Sequence, residues 1–346
     1  MTETAQNLAR ARAMLDVRRN AEAVTLLGQT VAADPANGAA WCLLSLAQLR
    51  CGEHAGGAQS AGRAAALAPS DAWPYRLLSS AQLNMGRPQA AVVTASEACR
   101  LAPEDWRVWV CKAEAVVGAR YDYDAAEKAA AEARRLAPDE AEVHYVSGRV
   151  SFARQKLHQA SQHQERALAL NPAHSGALNE LGRINLRRRN AAGAAEHFIQ
   201  AARAAPDLAV YGRNVEAAVR SPIGRLIYLV TLGCWIIVVI TFSWHAARPF
   251  AITGLSAVTV AGAGMVAVRV RRMPSATRPL LRSRRVTLAT GTVFGAILIA
   301  LIASVVTPGT VLSGVLAVAG LLVIASRFIA YAILRGTPSP AKAQRT

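Results

Sequence analysis

The sequence predicts an all-α protein in which a solenoid of helical pairs precedes a four-helix transmembrane bundle. Three observations lead to this prediction. Uncharged apolar stretches of membrane-spanning length occur only in the last third of the 346 residues. All 22 acidic residues lie at or before Glu216, whereas residues 223–346 contain 13 basic residues and no acid. Before that point, prolines recur every 34 or 35 residues, at positions 35, 69, 103, 138, 172 and 206.

Charge and cysteine content restrict the function classes. The net charge of +17 comes mostly from the last third, where basic residues alternate with the apolar stretches. Nucleic-acid binding is therefore not expected, because the basic excess does not form one soluble face. The five cysteines are odd in number and lack CxxC spacing, so we expect buried thiols in a reducing compartment rather than disulfides or a zinc site.

Small residues recur at fixed distances before the prolines. Two helices joined by a short turn approach closely only where their contact has little side chain, and proline then ends the second helix. All of the recurring residues except Thr30 are Ala, Gly or Ser. Five residues before the prolines stand Thr30, Ala64, Ala98, Ala133, Ala167 and Ala201; twelve before stand Ala23, Gly57, Ala91, Ala126, Ala160 and Ala194; and the preceding helix has Ala11, Ser45, Ser79, Ala113, Gly148 and Gly182.

This pattern resembles the tetratricopeptide repeat (TPR) family, in six copies. The copies are residues 4–37, 38–71, 72–105, 106–140, 141–174 and 175–208. The resemblance implies a right-handed solenoid whose first helices line a concave groove. His144 departs from the family pattern at the position that Trp41 occupies in the second copy, and the fourth copy has one extra residue, which we expect in the turn at 120–124. Residues 208–220 read as a further amphipathic helix that covers the last repeat.

Residues 223–346 are expected to form a membrane domain, and residues 1–222 a cytosolic one. A helix needs about 20 apolar residues to cross a bilayer. Four such segments are predicted, at about 226–244, 249–268, 286–306 and 311–334. A soluble helical bundle is the alternative, although soluble helices of this length normally have a polar stripe.

The basic residues orient these spans. By the positive-inside rule, an arginine-rich loop between the second and third spans places that loop and both termini in the cytoplasm. Residues 1–15 lack the apolar core of a secretory signal, which agrees with this orientation. We expect a bacterial plasma membrane protein, in which the loop contacts anionic lipid headgroups. The loop residues are Arg269, Arg271, Arg272, Arg278, Arg282, Arg284 and Arg285.

The sequence provides no residues for catalysis. The spans contain no Asp, Glu or Lys, and the first 222 residues lack the HExxH, GxSxG, P-loop and dinucleotide motifs. We therefore expect neither an enzyme nor a cofactor or metal site. Small residues in the spans, including the Gly291–Gly295 GxxxG, permit close helix packing and a possible homo-oligomer.

A binding surface remains as the predicted functional site. The resemblance implies that protein partners or peptides bind in the groove, and its arginine and aromatic side chains suit acidic or C-terminal peptides. We interpret the chain as a membrane-anchored scaffold. The alternative is a small transporter or channel subunit whose repeats regulate it. The residues predicted to line the groove are Arg12, Trp73, Arg76, Asn84, Arg107, Tyr145, Arg149, Phe152, Asn179, Arg183 and Arg187.

Overall fold

The computed structural model describes residues 3–206, 210–215, 217–218 and 268. The described residues are helices joined by short turns, with no β-strand among them. The helices are α1 (Glu3–Asp16), α2 (Asn20–Ala33), α3 (Gly38–Arg50), α4 (His54–Leu67), α5 (Ala72–Asn84), α6 (Pro88–Leu101), α7 (Trp106–Ala119), α8 (Tyr123–Leu136), α9 (Ala141–Ala153), α10 (Leu157–Leu170), α11 (Ser175–Arg187) and α12 (Ala191–Ala204). The predicted all-α solenoid of helical pairs is confirmed for this part of the chain.

The chain divides into two compact units, residues 1–180 and 181–346. In the first unit each helix from α1 to α9 packs against the next helix in sequence. Each first helix of a pair also contacts the first helix of the following pair, from α1 to α9. Second helices of the same unit contact each other less than first helices do. The stack is therefore curved, with its first helices on the concave side.

Small residues allow the two helices of each pair to approach closely. The Ala, Gly and Ser positions identified in the sequence are buried in every repeat. In the fifth and sixth repeats, the small residue of the first helix faces a large residue of the second helix, 16 positions later in the sequence. Gly148 faces the buried Gln164, and Gly182 faces the buried Phe198. A close-packed interior requires this compensation, because any gap or overlap costs free energy.

The prolines lie two residues beyond the ends of the second helices. The residue before each proline leaves the helical conformation, as at Asp34, where φ is −135° and ψ is 79°. Proline imposes this conformation on the residue before it by steric clash. The carbonyl of Pro35 then accepts a hydrogen bond from Trp41 Nε1 at 2.9 Å. Tyr75, Trp109 and His144 make the equivalent bond to Pro69, Pro103 and Pro138.

His144 is therefore a functional equivalent of the tryptophans rather than a defect in the repeat. Its Nε2 lies 2.7 Å from the Pro138 carbonyl oxygen. Because that oxygen only accepts, Nε2 is the ring nitrogen that donates the proton. This position requires a planar side chain with a hydrogen-bond donor at its end, and Trp, Tyr and His all meet that requirement.

The extra residue of the fourth repeat lies in the turn where the sequence places it. The left-handed residue Arg120 is three positions before the start of α8, whereas the corresponding Gly52 is two positions before α4. The longer turn gives α8 a cap, because Asp122 accepts a hydrogen bond from the Ala125 amide at 2.8 Å.

Residues 210–215 and 217–218 are also helical. Within the second unit, Val215 and Ala218 form a buried cluster with Phe198 of α12. This agrees with the capping helix expected over residues 208–220.

None of the helices in the described ranges combines the length and the apolar character that crossing a membrane requires. Apart from Val268, the four predicted spans and the arginine loop lie outside the described residues. The membrane domain therefore remains a prediction.

Candidate functional site

The candidate site lies on the first-helix face, which we define as the surface that α1, α3, α5, α7 and α9 present away from their second helices. Neighbouring first helices run parallel and contact each other along the first unit. Equivalent positions of successive repeats are thereby brought side by side on this face. Side chains 34 or 35 residues apart in sequence can then interact directly.

A charged pair joins α7 to α9 on this face. Arg149 Nη1 donates to Glu114 Oε1, and both side chains are about 70% buried, with exposed fractions of 27% and 30%. Burial raises the pKa of Glu114, while the Arg149 charge acts in the opposite direction. Burial is the largest single effect and by itself would lower the pKa of Arg149, but Glu114, Tyr145, Glu180 and Glu142 together outweigh it and raise that pKa. Each charge thus depends on its partner, since an unpaired buried charge is costly.

Aromatic side chains extend this pair towards α11. The guanidinium of Arg149 lies 5.7 Å from the centre of the Tyr145 ring. The centre of the Tyr145 ring is also 4.8 Å from the centre of the His174 ring. His174 Nε2 is 3.1 Å from Glu142 Oε2, and its Nδ1 accepts a hydrogen bond from the Ala177 amide at 3.1 Å. We call these five residues, Glu114, Glu142, Tyr145, Arg149 and His174, the α7–α9 cluster.

Two further predicted arginines share one acid. Asp105 caps α7 by accepting from the Arg107 amide at 2.9 Å. Its two carboxylate oxygens lie 3.5 Å from Arg76 Nη1 and 3.3 Å from Arg107 Nη1. Burial lowers the pKa of Arg76, and Asp105 opposes that effect. A capping residue therefore positions two basic side chains on the first-helix face.

The other predicted groove residues are distributed along the first helices. Arg12 is exposed on α1, and Asn84 bonds to the Ser80 carbonyl of its own helix at 2.9 Å. Trp73 is partly buried against two core clusters, so it contributes to packing between repeats. The remaining predicted residues lie on α9 and α11: Phe152 and Asn179 are partly buried in the first unit, whereas Arg183 and Arg187 are exposed in the second.

Acidic residues were the part of the site that sequence reasoning missed. It selected arginines and aromatics, but Glu114, Glu142 and Asp105 hold them in place. A signal for Glu114 was present, because it precedes Arg149 by 35 residues and so occupies the same position in the preceding repeat. Two opposite charges at one position of adjacent repeats predict an ion pair between parallel first helices.

In the residues that the structure describes, no group of three or more His, Cys, Asp or Glu side chains is placed to hold a metal ion. The four described cysteines are free thiols. Burial raises the pKa of Cys42 and of Cys99 to about 12, so both thiols are protonated and unreactive at neutral pH. Cys51, in the turn after α3, is the exposed one.

Together, the fold and this face define the class of protein: a stack of helical pairs with a polar and aromatic surface on its first helices. The family model of the tetratricopeptide repeat matches residues 8–72 and 148–209. These two segments carry tetratricopeptide repeats. TPR proteins act as protein-interaction scaffolds that bind peptides or proteins in a groove. No relative was found among curated protein sequences.

One solved structure shares the fold, and others are similar to a lesser degree, all at low sequence identity. A chain of the APC/C hetero-tetramer Cut9-Hcn1 superposes with a TM-score of 0.53 and 17% identity. The alignment covers 62% of this chain and 42% of that one, so the present chain corresponds to less than half of its length. TTC0263, a TPR protein of Thermus thermophilus, has a TM-score of 0.46 and 20% identity over 55% of this chain and 98% of its own. YrrB, a TPR protein with an unusual peptide-binding site, has a TM-score of 0.37 and 14% identity over 50% of this chain and 88% of its own.

Proposed function

We propose that this chain is a membrane-anchored, non-enzymatic TPR scaffold that binds protein partners through the first-helix face of its repeats. The α7–α9 cluster is the observation on which the proposal rests. It combines charged and aromatic groups that are half-buried rather than solvated, on the face that bends inward. Half-buried aromatic and arginine side chains are the residues that dominate binding energy at protein interfaces.

The cluster suits an extended peptide with a carboxylate. Arg149 has five N–H donors, and its bond to Glu114 uses one of them. Arg149 can therefore receive a second carboxylate while its position is held by Glu114. Tyr145 offers apolar area beside it, and Arg76 and Arg107 lie further along the same face. An acidic segment or a C-terminal carboxylate is the ligand chemistry that this arrangement favours.

Anchoring comes from the four predicted spans in residues 223–346. They would hold the repeats at the cytoplasmic face of a bacterial plasma membrane, with both termini in the cytoplasm. Partners captured on the first-helix face would thereby be concentrated at the membrane, which raises their effective concentration without any new contact.

Co-purification from native membranes in mild detergent tests the proposal. The full chain with the charge-swapped pair E114R/R149E keeps an ion pair between α7 and α9 but reverses the charges on the face. We expect it to lose the partners that the wild type retains. The matched control is R135E on α8, where Arg135 is exposed and pairs only with Glu132 of its own helix among the described contacts.

Unchanged recovery of partners by E114R/R149E, with R135E behaving identically, would reject the first-helix face as the binding surface. Circular dichroism of each variant establishes that the helices are intact. Loss of partners in both variants would likewise reject it, because a change of charge away from the face would then have the same effect.

A further inference from the structure

The two edges of the first unit have opposite charge. Because its helices alternate in direction, every turn from a first to a second helix lies at one edge, and every turn from a second to a first helix lies at the other. Helices of 13 or 14 residues separate the edges by about 20 Å. This exceeds the Debye length of about 8 Å at physiological salt, so each edge presents its own field.

We define the basic edge as the turns 17–19, 51–53, 85–87, 120–122 and 154–156. These turns contain six Arg and Lys residues and two acids. The acidic edge consists of turns 34–37, 68–71, 102–105, 137–140 and 171–174, with six Asp and Glu residues and no Arg or Lys.

Helix capping explains the acidic edge. Asp71 and Asp105 accept hydrogen bonds from the amides of Trp73 and Arg107, the second residues of α5 and α7, at 2.9 Å each. Negative charge at a helix start also interacts favourably with the helix dipole. The acidic edge is therefore where helix stability alone would place acids.

Helix capping does not explain the basic edge. Arg19, Arg87 and Lys156 occupy the N-cap positions of α2, α6 and α10 and make no side-chain capping bond there. A cation at a helix start opposes the helix dipole, and an N-cap normally holds Ser, Thr, Asp or Asn. Arg18 and Arg120 adopt positive φ values of 59°, a region that favours glycine. Basic residues thus recur on this edge at positions that helix capping does not favour, and two of them have acidic partners in a neighbouring helix turn, Arg19 with Glu22 and Arg154 with Asp124.

Exposed apolar side chains accompany these charges. Val17 is 65% exposed and Tyr121 is 63% exposed, and both lie in turns of the basic edge. A surface that combines Arg and Lys with exposed aromatic and aliphatic groups is typical of contact with an anionic bilayer surface. The acidic edge would be repelled by the same surface, so the two edges together favour a single orientation.

We propose that the basic edge of the first unit docks on the anionic surface of the membrane and holds the repeats edge-on, with the first-helix face accessible to partners. This inference rests on the membrane anchoring proposed above. The occupant is anionic phospholipid headgroups. Nucleic acid and a second copy of the chain, whose acidic edge is also complementary, are competing occupants that the following test distinguishes.

Cys51 is a native reporter on the basic edge, because it is the exposed cysteine among the described residues and lies in the turn 51–53. The full chain is placed in nanodiscs of phosphatidylcholine alone or with one quarter phosphatidylglycerol, and its reaction with PEG-maleimide is followed by gel shift. The variant C51S identifies the Cys51 band. Docking predicts a reaction about tenfold slower in the anionic nanodiscs, restored by R87E/R120E/K156E or by high salt.

The variant C51S/S70C moves the reporter to the acidic edge, where Ser70 is exposed. Docking on lipid predicts that the thiol introduced at position 70 reacts equally fast in both nanodiscs. Protection of both edges that does not depend on phosphatidylglycerol would show self-association and overturn the proposal. Unprotected Cys51, together with RNA binding that R87E/R120E/K156E abolishes, would assign the edge to nucleic acid instead, and unprotected Cys51 without RNA binding also overturns docking.

Co-purification with the nanodiscs separates this proposal from the anchoring. A chain that stays with both nanodiscs through high salt but leaves Cys51 unprotected contradicts the docking alone. A chain held only by anionic nanodiscs and released by salt, with Cys51 protected, contradicts the anchoring and supports the docking. A chain retained by neither contradicts both.

Discussion

At the scale of single residues, the close contact between paired helices depends on size complementarity at one facing pair of positions. Gly182 of α11 faces Phe198 of α12, both in the second unit. A Cβ added at Gly182 would lie 2.4 Å from the Phe198 ring. Phe198 is 1% exposed, so the ring has no solvent space into which to move.

We therefore predict that Gly182→Ala lowers the free energy of unfolding by about 1–3 kcal/mol, as overpacking in a dense core does. The measurement is urea unfolding of the full chain in mild detergent, followed by circular dichroism. Gly62→Ala on α4 is the matched control, because a Cβ there meets no atom within 4 Å. This control should stabilise by about 0.5–1 kcal/mol, since alanine favours a helix over glycine.

The double variant G182A/F198L tests the mechanism. A smaller side chain at position 198 makes room for the added methyl group, so it should recover part of the loss caused by Gly182→Ala. No recovery would show that the cost arises elsewhere than in the contact between Gly182 and Phe198.

At the scale of the helical pair, all six turns after a first helix contain a residue with positive φ at the same repeat position. Glycine occupies this position in two repeats, as Gly52 and Gly86, with φ of 81° and 74°. The other four have Arg18, Arg120, Gln155 and Arg189, with φ between 59° and 61°. A left-handed conformation costs a residue with a Cβ about 1 kcal/mol more than glycine.

Arg120→Gly is accordingly predicted to raise the free energy of unfolding by about 1 kcal/mol, and Gly86→Ala to lower it by about the same amount. Both positions are exposed and a Cβ at Gly86 meets no atom within 4 Å, so packing changes little in either variant. Thermal unfolding of the two variants beside wild type measures the effect. The two substitutions should change the free energy of unfolding in opposite directions. A destabilised Arg120→Gly variant would contradict the turn geometry.

The helical pairs were predictable from sequence because each pair is a local unit. Proline spacing marks the ends of the second helices, and the small residues mark where the two helices touch. The left-handed turns were not predictable in the same way. Glycine normally indicates this conformation in a sequence, but four of the six positions have Arg or Gln instead. The hydrogen bond of His144 was also not predictable, because a histidine side chain resembles that of tryptophan only in its ring N–H donor.

The candidate site was predictable to a smaller extent. The resemblance to tetratricopeptide repeats pointed to this face, and the structure places Tyr145 and Arg149 together there. Sequence reasoning did not identify Glu114. An ion pair between repeats depends on which helices lie side by side, and residue type alone does not show this. Sequence reasoning also did not show that Trp73, predicted to line the groove, packs between repeats.

At the scale of the whole chain, acidic residues end at Glu216, before the predicted spans begin. Within the first unit, the turns at which first helices start contain six acids and no Arg or Lys, and the turns at the opposite edge contain six Arg and Lys residues and two acids. The last third continues this excess of positive charge without any acid. Both features favour the cytoplasmic side of an anionic membrane as the location of the repeats.

The orientation of the spans is the prediction that tests this arrangement. Alkaline phosphatase is active only outside the cytoplasm, so a fusion at residues 307–310, between the predicted third and fourth spans, should be active and a fusion after Arg285 inactive. Seven arginines in residues 269–285 are expected to keep the predicted central loop on the cytoplasmic side, because translocating them against the membrane potential is unfavourable. Immunoblotting of both fusions controls for expression. An active fusion after Arg285 with an inactive one at 307–310 would place the central loop and both termini outside the cytoplasm, and the repeats would then face the wrong side of the membrane for the proposed scaffold.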